Sequence, residues 1–161
     1  MAFLLFFVAQ VFAQDFTMAV LPLEMAAGSE RYDGLGKALA GMLITDLSSV
    51  DGLVLVERDR VKALLAEVEL AESGFLDEET AQDLGHGLGA QFILTGTYSV
   101  VEDTFVLDAR IVEVETAAIK KAASADGTIQ DFVSVEKDLV ESLLDGLEVT
   151  LTSGVRRQLY V

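Results

Sequence analysis

Few residues in this sequence have the chemistry of a catalytic or metal-binding group. The chain has 161 residues and no cysteine, so we expect no disulfide, zinc–thiolate site, thiol catalysis or lipid-modified N-terminal cysteine. His86 is the one histidine, and it cannot alone build a multi-histidine metal site or act as a base without a nucleophile and an orienting acid. Its place between Leu84 and Leu88 predicts the exposed side of a helix.

Carboxylates are plentiful, but their positions favour structural roles. They cluster at Asp77–Glu79, at Glu102–Asp103 and around Glu115. Glycoside hydrolysis needs two carboxylates across a sugar-binding cleft, usually with aromatic side chains, and the chain has no tryptophan. Helix capping and turns account for most of these acids, and a weak calcium site at Glu102–Asp103 is the alternative. We therefore predict no catalytic, cofactor-binding or metal-ligating residues, no cofactor and no enzymatic activity.

The segment Asp33–Leu39, DGLGKAL, superficially resembles a phosphate-binding loop. A Walker loop needs a glycine upstream of its Gly-Lys pair and Ser or Thr after the lysine, but Arg31 and Ala38 occupy those positions. The dinucleotide fingerprint also fails, because leucine replaces its third glycine. We expect Gly34 and Gly36 to open a helix and let it pack closely.

The formal net charge of −16 limits the partners. Phosphate backbones and anionic membranes are bound by lysine and arginine, so we expect no nucleic-acid partner and no anionic membrane surface. The acidic surface serves either solubility or docking of a basic partner.

Three helices and two strands are predicted in the first part of the chain from the period of their apolar residues. In order, they are a strand at Thr17–Leu23, a loop at Met25–Tyr32, a helix from Asp33 to Leu47, a strand at Leu53–Val56, a helix capped by Asp59, and a helix from a cap at Asp77 to a left-handed Gly89. Pro22 has no backbone donor, which indicates the end or the edge of the first strand.

An antiparallel meander of three strands follows, and a helix from about Gln130 to Leu147 closes the domain. The strands are Gln91–Val101, Thr104–Val114 and Ala118–Ala125. Asp108 and Arg110 share a strand face, where an exposed ion pair or a cross-strand partner is expected. The order β-α-β-α-α-β-β-β-α predicts an α/β (α+β) fold, with a mixed β-sheet of about five strands covered by helices.

The N-terminus predicts export. Ala2–Ala13 is uncharged and apolar, shorter than the roughly 20 residues of a membrane-spanning helix, and small residues precede Gln14. No basic residue precedes the run, which departs from an ordinary signal peptide. We predict a signal peptide at 1–13, one α/β domain at 14–149, a tail at 150–161 that contains Arg156 and Arg157, and no transmembrane segment after cleavage.

Four segments together resemble the CsgG-type curli production assembly/transport family and its relatives, which include FlgO-like proteins and the TolB N-terminal domain. The segments are MAVLPLE (Met18–Glu24), LVLVERDRVKALLAE (Leu53–Glu67), LGAQFILTGTYS (Leu88–Ser99) and FVLDARIVEVET (Phe105–Thr116). The resemblance covers roughly residues 17 to 148. It implies a periplasmic or outer-membrane-associated domain that acts in assembly or secretion and is not a catalyst.

Three departures from the family pattern matter. The lipobox cysteine is absent, and the connections are too short for the long hairpins of the pore-forming members. The last hairpin carries Ala117 where the family has glycine, which costs on the order of 1 kcal/mol in a left-handed turn unless the turn is of another type.

The resemblance implies a non-catalytic interaction domain whose partners are other envelope proteins or further copies of the chain. Arg58 and Arg60 enter a helix directly after a strand, where they either bind a partner carboxylate or pair with the chain's own acids. The alternative function is a periplasmic sensor or binding module for a small ligand or metal. That alternative requires a polar pocket near Leu23–Glu24 and Glu57–Arg58.

Overall fold

A computed structural model describes residues 15–67 and 77–145. The predicted signal peptide at 1–13 and the tail at 150–161 lie outside the described residues. The elements are β1 (Phe16–Val20), β2 (Glu24–Ala27), α1 (Leu35–Leu47), β3 (Leu53–Leu55), α2 (Arg58–Glu67), α3 (Glu78–Leu88), β4 (Phe92–Val101), β5 (Thr104–Glu113), β6 (Ile119–Thr128) and α4 (Phe132–Asp145). Short 3-10 turns precede α1 and α4.

The strands form one mixed, open sheet in the order β3-β1-β4-β5-β6, and β2 also pairs with β4. The first three strands run parallel to their neighbours, whereas β4, β5 and β6 form an antiparallel meander. The predicted mixed sheet with helices is therefore confirmed. The meander strands are long because their alternating residues bury one face, and β6 extends three residues past the predicted end at Ala125.

The predicted loop at Met25–Tyr32 is partly wrong, because β2 occupies its first residues and adds a sixth strand. Val20 pairs with Leu94, and Glu24 pairs with Thr97. Between these two pairs, the chain that joins β1 to β2 has one residue more than β4. Pro22 lies in that interval, and its missing N–H explains why the ladder breaks there. β1 and β2 thus lie one after the other alongside β4, and their pairing with β4 is interrupted at Pro22.

Helices cover both faces of the sheet. The larger apolar cluster lies under α1 and α4 and contains Met18, Leu94 and Leu107. The smaller cluster lies under α2 and α3 and contains Ala19 and Ile93. Successive residues of one strand therefore enter opposite layers, as the period of two in a strand requires. The same alternation is seen in β5, where Phe105, Leu107, Ala109 and Ile111 are all buried on one face.

The start of α1 is fixed by a close backbone approach. A Cβ on Gly36 would lie 1.9 Å from the carbonyl oxygen of Leu23, so only glycine fits there. A Cβ on Gly34 would have no neighbour within 4 Å. The expectation of close packing is confirmed for Gly36 and is wrong for Gly34, which stands as the N-cap of α1.

Two of the three predicted helix ends are confirmed, and one is wrong. The Asp77 side chain accepts a hydrogen bond of 2.7 Å from the Thr80 N–H, which confirms the predicted cap of α3. Gly89 ends α3 at φ +66°, also as predicted. Asp59 is not a cap, because α2 already begins at Arg58 and Asp59 lies in its first turn.

The turn between β5 and β6 contains a left-handed alanine. Ala117 has φ +57°, so it takes the conformation that glycine adopts without strain. The other expectation, a turn of a different type, is wrong. Because the hairpin keeps the glycine-type geometry, the backbone carries the predicted cost of on the order of 1 kcal/mol at this position.

Candidate functional site

The two arginines predicted to meet a partner are exposed. Arg58 and Arg60 lie in the first turn of α2, and neither forms an ion pair within the described residues. Both interpretations of these arginines, binding of a partner carboxylate and pairing with the chain's own acids, stay predictions. The Arg58 guanidinium lies over α1, where Nη1 is 3.7 Å from the position that a Cβ on Gly41 would take. Two positive charges thus face outward from an acidic protein.

The other predicted sites do not gather reactive groups. His86 is exposed on α3, as its spacing predicts. Within residues 15–67 and 77–145, no three histidine or carboxylate side chains come together as a group that could hold a metal ion. None of the helices in those residues has the length and apolar character to cross a membrane.

A cleft of ≈ 340 Å³ opens on the sheet face that also carries α2 and α3. Residues of β4, β5 and β6 form its floor, and the start of β2 forms its rim. We call it the sheet-face cleft, and the polar side chains that line it are Glu24, Thr95, Thr97, Asp108, Arg110 and Ser124. The cleft reaches Glu24 but not Glu57 or Arg58, so only part of the polar pocket required by the alternative function is present.

The floor of the sheet-face cleft contains two hydroxyls without hydrogen-bond partners. Thr95 and Thr97 are each 6% exposed. Neither hydroxyl forms a hydrogen bond within the described residues. Glu136 holds the buried side-chain atoms that lack a partner in the described residues, so the Thr95 and Thr97 hydroxyls are open to the cleft, where another group can bind them.

The charges around the sheet-face cleft are unbalanced. An exposed ion pair or a cross-strand partner was expected for Arg110, and its Nη1 forms an ion pair of 3.1 Å with Glu78 Oε1 of α3. Glu24 and Asp108 have no ion-pair partner among the described residues. Burial raises the pKa of Glu24 above its ordinary value. The cleft is therefore lined by two carboxylates and one guanidinium, and that guanidinium is already paired with Glu78 of α3.

A second polar cluster lies between α1 and α4. Lys137 Nζ contacts Asp46 Oδ2 at 3.0 Å beside a cavity of ≈ 280 Å³. Glu136 next to it is completely buried, and neither carboxyl oxygen has a hydrogen-bond partner among the described residues. Burial and, to a smaller extent, the neighbouring Asp46 raise the pKa of Glu136 to about 8, and Lys137 opposes this rise. Glu136 is therefore largely protonated at neutral pH.

Sequence reasoning missed both polar sites. Thr95 and Thr97 were visible as polar residues at every second position of an otherwise apolar strand, which is the signal of a polar patch on one face. Glu136 had no such signal, because a single acid beside an apolar helical stripe ordinarily lies at the solvent edge. Arg58 and Arg60 were found, but nothing joins them to either polar site.

The architecture defines a class: a small mixed α+β domain with an open sheet between two helical layers. The family model described as the curli production assembly/transport component CsgG matches residues 10–102. The chain belongs to that family, and the resemblance drawn from the four sequence segments is confirmed.

Solved structures share this fold at low sequence identity. The C-terminal domain of LpoB from Salmonella enterica has a TM-score of 0.58 and 14% identity, and the match covers 74% of this chain and 87% of that one. Lipoprotein GNA1162 from Neisseria meningitidis has a TM-score of 0.55 and 15% identity, with 70% and 80% covered. The PelC dodecamer from Paraburkholderia phytofirmans has a TM-score of 0.52 and 13% identity, with 86% and 91% covered.

One curated relative carries the name of an enzyme. A putative adenylate cyclase 3 from Rhizobium meliloti (strain 1021) is 23% identical over 141 residues, which is 86% of this chain. The chain spans only 22% of the length of that relative.

Proposed function

We propose that this chain is a non-catalytic protein-interaction domain of the bacterial cell envelope, which serves an assembly or transport system in the periplasm. The observation that carries the proposal is the match of the CsgG family model, described as an assembly and transport component, to residues 10–102. Within that stretch lie the β-α units that hold Arg58 and Arg60. Association with the outer membrane is part of the proposal, and the fold shared with the lipoprotein GNA1162 supports it.

Export is the first element of the proposal. The apolar run at 2–13 followed by Gln14 is typical of a signal peptide, which leaves one domain at 14–149 and a tail at 150–161. Cell fractionation with N-terminal sequencing of the mature protein tests this element. We expect a periplasmic protein that begins at Gln14, and an intact Met1 in the cytoplasm would exclude export.

The second element is a partner-binding surface at the start of α2. Arg58 and Arg60 are exposed and unpaired within the described residues, so binding a partner carboxylate breaks no ion pair among those residues. Charge-assisted contacts of this kind contribute roughly 1.5–3 kcal/mol each when they are shielded from water. An acidic patch on an envelope protein, or on a second copy of this very acidic chain, is the complementary surface.

Self-association is the third element. One end of the sheet is β6, a strand of ten residues that pairs only with β5 among the described strands. Free strand edges can pair with another chain. PelC, which shares this fold, forms a dodecamer, and this supports assembly of the present chain with further copies. Light scattering after size-exclusion chromatography distinguishes a multimer from a monomer.

The absence of catalysis is the fourth element. The cyclase relative is far longer than this chain, and its name describes the whole protein. Incubation of the purified chain with ATP and magnesium tests the point directly. We expect no cyclic AMP above a blank, and production of cyclic AMP would replace the proposal with an enzymatic one.

The decisive experiment compares charge reversals at two places. An Arg58→Glu, Arg60→Glu double variant removes the proposed surface, and Lys121→Glu on β6 is the matched control because it changes a cation on another element. Affinity capture of the exported protein from envelope extracts should recover the same partner with the wild type and the control. The double variant should lose that partner. Equal recovery by all three proteins would refute the role of the arginines.

A further inference from the structure

We propose that the sheet-face cleft is a binding site for an organic cation, namely a guanidinium or primary ammonium group on a short aliphatic stem. This inference goes beyond the protein-interaction function and does not depend on Arg58 or Arg60. It rests on the shape of the cleft, its unbalanced charge and its unpartnered hydroxyls.

The volume of the cleft is sufficient for such a ligand. At ≈ 340 Å³ it lies within the range of roughly 300–1,000 Å³ that is typical of small-molecule sites. Small residues, among them Gly96 and Ala122, line it between the polar groups. They leave room for an aliphatic stem to lie flat on the sheet, with its charged end between β2 and β5.

The charge of the cleft selects a cation. Glu24 and Asp108 are without ion-pair partners among the described residues, and the positive charge of Arg110 is offset by Glu78. An anion would be repelled by both carboxylates. A bare metal ion is also disfavoured, because no three candidate ligands come together in the described parts of the chain. An organic cation needs only these two carboxylates and nearby acceptors.

The hydroxyls of Thr95 and Thr97 complete the set of acceptors. A guanidinium carries five N–H donors in a plane and an ammonium carries three. Thr95 and Thr97 line the floor, each 6% exposed and without a hydrogen bond within the described residues, so both can accept from such donors. Burial already disfavours the ionised form of Glu24, whose pKa is raised, and a bound cation would remove that cost.

Nuclear magnetic resonance titration of the isotope-labelled mature protein tests the proposal. The probe is Nα-acetyl-arginine amide, and its uncharged isostere Nα-acetyl-citrulline amide is the matched ligand control. We expect the arginine probe to shift the amide signals of Thr95, Thr97 and Asp108, and the citrulline probe to leave them in place. Agmatine is titrated in parallel, because tighter binding of agmatine indicates a free small cation, whereas tighter binding of the capped arginine indicates a side chain of a protein.

Near-isosteric variants locate the binding. Glu24→Gln and Asp108→Asn each remove one charge from the cleft, and each should weaken binding of the arginine probe about five- to tenfold. Asp126→Asn is the control, because Asp126 is exposed on neighbouring β6 and does not line the cleft. It should weaken binding less than Asp108→Asn does, because Asp126 lies one cross-strand pair beyond Ser124 and its exposed charge acts through water.

Three outcomes would overturn the proposal. The first is the absence of shifts at the cleft at millimolar concentrations of either cation. The second is equal binding of the citrulline and arginine probes. The third is an equal loss of affinity in Asp126→Asn and Asp108→Asn, which would assign the binding to the overall negative charge.

A hydroxyl deletion gives an independent readout if a charge variant fails to fold. Thr97→Val keeps the shape of the side chain and removes an unpartnered hydroxyl, so the thermal midpoint should stay the same or rise. The affinity for the arginine probe should fall at least about threefold, since a hydrogen bond to a charged donor is lost. Unchanged affinity in this folded variant would also contradict the site.

Discussion

Replacing Glu136 with glutamine tests the protonation state of a completely buried acid. Glu136 is 0% exposed, and its two oxygens have no hydrogen-bond partner in the described parts of the chain. Asp46 and Lys137, which form an ion pair of 3.0 Å, lie at the same junction of α1 and α4. Glutamine has the same shape and never ionises, so Glu136→Gln separates the cost of the charge from the packing.

The sign of the effect follows from proton linkage. The pKa of Glu136 rises from 4.5 to about 8 on folding, so the folded state holds a proton that the unfolded state releases. The resulting stabilisation is fully present below pH ~4.5 and is lost as the pH rises through about 8. At ~1.4 kcal/mol per pKa unit the upper bound is ~5 kcal/mol. Relaxation and water entry around an ionised side chain bring the expected value to about 3 kcal/mol.

Urea unfolding at a series of pH values measures this effect. We expect the free energy of unfolding of the wild type to fall by about 3 kcal/mol between pH 5 and pH 8.5, and that of Glu136→Gln to fall much less. The two proteins should be similar at pH 5. Glu115→Gln, at an exposed turn position, is the control and should follow the wild type. A wild type with a flat pH profile, or a variant less stable than the wild type at pH 8.5, would refute the reasoning.

Two further predictions concern backbone geometry and are measured by thermal and urea unfolding. Ala117→Gly should raise the free energy of unfolding by about 0.5–1 kcal/mol, because Ala117 has φ +57°, whereas Ala63→Gly in the exposed face of α2 should lower it by about 1 kcal/mol. Destabilisation by both variants would contradict the strain at the turn. Gly36→Ala should cost about 3 kcal/mol, because its Cβ would lie 1.9 Å from the Leu23 carbonyl oxygen. Gly34→Ala should cost much less, since no atom lies within 4 Å, and equal costs would contradict the role of close packing.

The fold was largely predictable because periodicity carries most of the information. The alternation of apolar residues in β5 and the spacing of Ala81, Leu84 and Leu88 in α3 identified the buried faces correctly. The strand β2 was not predictable in this way. It is short, exposed and follows Pro22, and its pairing depends on β4, which lies far away in sequence.

The candidate sites were less predictable than the fold, because they depend on which polar side chains lack a partner after folding, and sequence spacing does not show this. An exposed ion pair or a cross-strand partner was expected at Asp108 and Arg110. Arg110 forms its ion pair with Glu78 of α3, whereas Asp108 has no ion-pair partner among the described residues. Sequence spacing places both residues on one strand face, but it does not show which helix end lies above them. Burial of Glu136 likewise depends on how α1 packs against α4.

Photo-crosslinking from α2 in living cells tests the central claim most directly, namely that this CsgG-family domain binds a protein partner in the envelope. A benzophenone amino acid replaces exposed Lys62, one turn after Arg58, so that both proposed arginines remain in place. We predict a discrete adduct in the periplasmic or outer-membrane fraction, with an envelope protein or a second copy of the chain. The adduct should disappear when Arg58→Glu and Arg60→Glu are added. An unchanged adduct in that variant, or no adduct in the envelope fractions, would contradict the account.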